Sequence, residues 1–101
     1  MLDLKKLLAK LTQNTHIVQN GATGAISVNS SSYEDKDITF SPAFNSVPAV
    51  SATFYTTSTG GTFGRCAVAV VSVSASGCKI RVFNGDTTSR SPNVFWTAIG
   101  K

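Results

Sequence analysis

A chain of 101 residues is one domain with room for a small core. Its charged share of 14% is low beside the ~25% usual for soluble domains, so either neutral polar groups cover the surface or other chains bury part of it. The first is visible in 13 Ser and 12 Thr, residues that favour strands and turns over helix interiors. The formal charge of +4 comes largely from Lys5, Lys6 and Lys10. Without a cluster of Arg and Lys interleaved with aromatics, it does not describe a nucleic-acid-binding face. No apolar run approaches the ~18 residues of a membrane span, so membrane insertion is not expected. Lys10 and Thr12 interrupt the N-terminal apolar stretch before the ~7–15 residues of a signal peptide, so nothing addresses the chain for secretion.

Residues 1–13 carry the one helical pattern. Leu4, Leu7, Leu8 and Leu11 form an apolar stripe, with lysines on the other side. Asp3 at the start suits the helix dipole. A helix this short needs a partner for its stripe, either its own β-body or other copies in a coiled-coil bundle, and its terminal, Leu-dense character favours the copies. Residues 14–24 read as a polar linker with turn signals at Asn20-Gly21 and Thr23-Gly24. His16 has no catalytic partner nearby.

The remainder, 25–101, reads as an all-β sandwich. Ala25–Val28 is a short strand. Residues 29–36 read as a polar loop whose Glu34 and Asp35, with Asp37 just beyond, lack calcium-loop spacing. From Asp37 to Thr57 two alternating runs, Ile38/Phe40 and Val50/Ala52/Phe54, predict strands with one buried face. Pro42 and Pro48 force the chain out of the sheet between them, and Phe44 reads as a plug closing one end. Residues 58–62 make a Gly-rich hairpin loop. Residues 65–74 are apolar on both faces, with Cys66, Val68 and Val70 on one and Ala67, Ala69, Val71 and Val73 on the other. A two-faced strand in so small a domain implies cover from another subunit. Residues 78–83 alternate cleanly, Asn84-Gly85-Asp86 is a turn signal, and 94–99 is a last strand, apolar on both faces.

In the hairpin of 65–74 and 78–83, Cys78 lies opposite roughly Val73 and Cys66 lies far up the ladder. The pair therefore reads as two reduced core thiols. One His and no Cys-x-x-Cys supply no zinc site, and no nucleophile elbow, phosphate loop or dinucleotide fingerprint is present. An enzyme is not expected, and no cofactor or metal. Binding chemistry is available: sugar sites on sandwiches need a few fixed polar groups beside an aromatic face, and Arg65, Arg81, Asp86, Asn84 and Tyr55 are the parts. The competing structural roles are Arg–carboxylate pairing and a turn at Asn84–Asp86.

The order of features from Asp37 to Gly100 resembles the H-type lectin domain. The matching pieces are Phe40, Phe44 and Pro48-Ala49-Val50, then Arg65 opening a strand with Val68 and Val70. Cys78–Phe83 and the closing Trp96-Thr97-Ala98-Ile99-Gly100 complete the set. The resemblance implies a six-stranded antiparallel β-sandwich assembled as a homotrimer. It also implies a ligand site in which Arg65 and the loop after the penultimate strand hold a galactose-type sugar between subunits. The loop Phe83–Thr87 keeps the family's Asp/Thr part and lacks its Trp. A short Leu/Lys helix before a Ser/Thr/Gly-rich β-body is similar to C-terminal knobs of bacteriophage tail fibres. The implied function is a trimeric phage or prophage tail receptor-binding or adhesion knob for cell-surface glycan, with ligand-binding residues Arg65, Asp86, Asn84 and Tyr55. It would be carried on the virion tail after assembly in the host cytoplasm. The alternatives are a structural virion protein without a glycan site and a free-standing, extracellular lectin.

Overall fold

The computed structural model describes residues 3–8, 16–57 and 60–101. It is an antiparallel β-sandwich of six strands: β1 (Ile17–Ala25), β2 (Ser32–Thr39), β3 (Ala49–Tyr55), β4 (Cys66–Val73), β5 (Gly77–Asn84) and β6 (Asn93–Gly100). One sheet has the order β1-β6-β3 and the other β2-β5-β4. Residues 4–8 are helical. Asp3 caps this turn, accepting the Lys5 N–H on Oδ1 at 3.0 Å, and Leu4, Leu7 and Leu8 are exposed. The remainder of the helix reading, including Lys10 and Leu11, and the 58–59 part of the hairpin loop lie outside the described residues.

The central strands hold the core because their alternation is clean. From β5 come Cys78, Ile80 and Val82, and from β6 Val94, Trp96 and Ala98, all buried; Phe40 and Phe44 join them. Burying a side chain the size of Ile80 completely contributes roughly 1.5–3 kcal/mol. Val50, Ala52 and Phe54 of β3 pack on this cluster half-buried, as their alternation predicts. Phe44 does close one end: it meets Phe40 edge-on, with ring centroids 5.2 Å apart, and its N–H donates to Ala75 O at 2.8 Å. Cys66 and Cys78 are free thiols, with Cys78 opposite Val73 and Cys66 opposite Asn84.

Four sequence expectations need correction. Residues 17–24, expected as linker, form most of β1, and β1 pairs with β6 from Ile17↔Gly100 to Ala22↔Phe95. The glycines there serve the strand and not a turn. A Cβ on Gly21 would stand 3.0 Å from the Trp96 ring, so the absent side chain admits the indole. Gly24 has φ +74°, at the bulge between Ala22 and Ala25. The strand expected over 25–28 reduces to its first residue, and beyond it Val28 and Arg90 form an isolated bridge.

The polar loop expected over 29–36 is mostly β2. It is an edge strand, and two of its four charges lie opposite a charge of the other sign: Asp35 opposite Arg81 and Asp37 opposite Lys79. Finally, the register of β4 shifts between Val70 and Ser72. This bulge changes the parity of the strand, so Val73 packs on the core and does not share the outer face with Ala67. The two-faced pattern of β4 is thus partly the imprint of an extra residue.

Ile80→Ala should lower stability by about 2–5 kcal/mol, because the cavity forms in the centre of the sandwich. Chemical denaturation of the variant checks this.

Candidate functional site

The strand order sends three connections to one end of the sandwich: 26–31 between β1 and β2, 56–65 between β3 and β4, and 85–92 between β5 and β6. The opposite end holds the start of β1, the end of β6 and the Phe44 plug. Asn84 closes the loop end. It is 2% exposed, and its Nδ2 lies 3.1 Å from Val28 O, 3.2 Å from Asn29 O and 3.0 Å from Thr88 O. Its Oδ1 accepts the Asp86 N–H at 2.9 Å and faces Cys66 Sγ at 3.6 Å. One buried amide therefore ties two loops to β4, each bond contributing about 1 kcal/mol net.

Asp86 continues the network. Its Oδ1 accepts from Thr87 N–H at 2.7 Å, and its Oδ2 accepts from Arg90 Nε at 3.1 Å and Nη2 at 2.9 Å. The Arg90 hydrogen bond, then the Thr87 N–H, then the charges of Arg90 and Arg65 hold its carboxyl below the ordinary range. The Ser31 N–H donates to Asp86 O at 3.2 Å, and Ser31 sits in the left-handed region at φ 51°. Burial, then the nearby Asp86 charge, pushes the Cys66 thiol up.

Between the 29–32 turn and the β5 end lies an open groove of about 310 Å³, lined by Ser31, Ser32, Tyr33, Phe83, Asn84 and Gly85. Tyr33 and Phe83 are opposite each other in the ladder, with ring centroids 6.0 Å apart, and are 51% and 39% exposed. The Arg81 guanidinium stands 4.3 Å over the Tyr33 ring and pairs with Asp35 at 2.7 Å, which fixes the ring's position. Gly85 donates its N–H to Arg65 O at 2.9 Å, so the Arg65 backbone adjoins the groove.

Of the four residues expected at a site, the structure gathers Arg65, Asn84 and Asp86 around the groove end. Asn84 faces inward and Asp86 is engaged by Arg90. Tyr55 is at the same end but on the other sheet, stacked on Phe95 at 4.6 Å and 11°, away from the groove. Tyr33 was masked in sequence by the polar run around it. Phe83 was marked only by its outward place in the alternation. No group of His, Cys, Asp and Glu able to hold a metal ion occurs among the described residues.

A family model for the H-type lectin domain matches residues 35–99. The chain belongs to the H-type lectin family. Its fold is also that of an N-truncated R1-type pyocin tail fibre, with a TM-score of 0.72 at 25% identity over 89% of this chain and 75% of that one. A fibre comprising C-terminal residues 323–701 of the Pseudomonas aeruginosa R1 pyocin gives 0.72 at 24% identity, and here this chain matches 24% of the fibre's length. The tailspike of Pseudomonas phage phi297 gives 0.65 at 16% identity, with 85% of this chain and 16% of the tailspike covered. Comparison with curated protein sequences gives no match.

Asn84→Ala should cost about 1–3 kcal/mol, because it leaves buried carbonyls without donors. A melt with intact secondary structure and a lowered midpoint checks this. Asp86 has a depressed folded-state pKa, so its contribution is present above the unfolded value of about 3.9 and is lost as pH falls through the folded value. In Asp86→Asn the stability difference from the parent should shrink towards low pH, as read by melts over a pH series.

Proposed function

We propose that this chain is the receptor-binding or adhesion knob of a bacteriophage or prophage tail, assembled as a homotrimer and binding cell-surface carbohydrate at its loop end. The observation that carries this reading is the polarity of the fold. The chain enters and leaves the sandwich at one end, while the groove with its exposed Tyr33–Phe83 pair lies at the other. A sugar ring stacks on such a face with its hydroxyls directed to the polar rim. The family membership and the tail-fibre neighbours support the same reading. On this reading the protein is carried on the virion tail and is assembled in the host cytoplasm.

The trimer draws support from the difference between the sheets. No residue of β1, β3 or β6 is charged, and on their outer face Val18, Phe95, Ile99 and Tyr55 are 43–56% exposed. A cyclic trimer joins two unlike patches of each subunit, and the Ala67 and Ala69 face of β4 offers a second, closely approachable one. Three weak sites on one rigid body gain avidity without new contacts.

A second reading, a structural virion protein without a glycan site, is favoured by the internal engagement of Asn84 and Asp86. A glycan array separates the two. The parent should bind a subset of glycans, and Phe83→Ala should lose that binding while keeping its melting profile. A folded trimer that binds no glycan would favour the structural role. Light scattering should give three times the 10.6 kDa chain mass, and Phe95→Glu should reduce it to one.

A further inference from the structure

We propose that the glycan received at this groove is anionic and that Arg65 takes its carboxylate or phosphate ester, an assignment that rests on the carbohydrate-binding reading of the loop end. The first ground is charge. Across the loops 26–31, 56–65 and 85–92 the charged residues are Arg65, Asp86 and Arg90. Asp86 and Arg90 neutralise each other at 2.9 Å. Arg65 is left, exposed, with no side-chain ion pair or hydrogen bond among the described residues. Its charge reaches Asp86, whose carboxyl it helps to keep ionised, so it points its field into the same end of the molecule.

The second ground is the balance of donors and acceptors. A neutral sugar offers hydroxyl donors that need strong acceptors as much as it offers oxygens that need donors. Here the acceptors of Asn84, Asp86 and Asp35 are spent. Asn84 Oδ1 serves the Asp86 N–H. Both oxygens of Asp86 are taken by Thr87 and Arg90. Asp35, the next carboxylate along the outer face of β2, is closed bidentately by Arg81 at 2.7 and 3.0 Å. What stays open is a guanidinium with five N–H donors in a planar fork, which matches an oxyanion of two or three oxygens. The backbone brings Arg65 to the edge of the groove. The Arg65 carbonyl is 2.9 Å from the Gly85 N–H, Gly85 lines the groove, and the Tyr33–Phe83 pair supplies the apolar surface for the ring. A carboxylate of a uronic or sialic acid and a phosphate ester present the same chemistry to Arg65.

The test is an array carrying neutral, uronic-acid, sialylated and phosphorylated glycans, probed with the full chain and with Arg65→Gln. Acidic members should bind at least roughly tenfold better than their neutral counterparts. That preference should fade as NaCl rises from about 0.05 to 0.5 M, and Arg65→Gln should abolish it with the melting profile unchanged. Preference confined to carboxylated or to phosphorylated members identifies the source of the anion, and either supports the assignment. Equal binding of neutral and acidic members, or an acidic preference that survives Arg65→Gln, overturns it and leaves the carbohydrate reading standing. A folded protein that binds no member of the array overturns both.

Discussion

The loop end has little apolar material, so its shape depends on a buried amide. Asn84 shares two N–H groups among carbonyls of residues 28, 29 and 88 and receives the backbone of Asp86 on its oxygen. Val28, whose carbonyl it holds, and Pro92 are fully buried at the same end. The neighbouring loop residues are positioned from this point. Asp86 is set to meet Arg90, the Ser31 turn is held against Asp86, and Gly85 is brought to Arg65. The groove is therefore a product of polar bonds around a buried side chain, where a bond is stronger than in water and a missing one is costly. Side chains that look like ligand groups in sequence serve here as the frame of the groove.

The two sheets solve different problems with the same strand geometry. The β2-β5-β4 sheet balances charge across its ladder, and its edge strand β2 carries acids and a lysine that discourage pairing with stray strands. The β1-β6-β3 sheet carries none, and fills its outer face with Ser, Thr, Ala and exposed Val, Phe and Ile. The low charge of the chain is thus localised, and one whole layer has the composition of a surface that meets protein.

Much of this fold is legible in the sequence where alternation is undisturbed. Residues 78–83 and 94–99 give β5 and β6 with the right inner faces, Val50, Ala52 and Phe54 give β3, and the ordered pieces from Phe40 to Gly100 point to the family. Legibility fails where a residue type has a tertiary reason to break its local rule. Gly21 mimics a turn because Trp96 needs its space. Charges along 34–37 mimic a loop because an edge strand tolerates them. The extra residue at Val71 reverses the faces of β4 beyond it. At the site, Arg65, Asn84 and Asp86 are recoverable as neighbours from turn and strand positions. The inward turn of Asn84 and the pairing of Tyr33 with Phe83 depend on a register that no local pattern encodes.

The pairing of Ile17 with Gly100 brings the first and last strands side by side at the end away from the groove. Entry and exit of the chain thus share one small footprint. Loops can lengthen, shorten or change chemistry at the far end without disturbing that junction. Such a layout separates variation at the loops from the strand pairing that holds the two ends of the fold together.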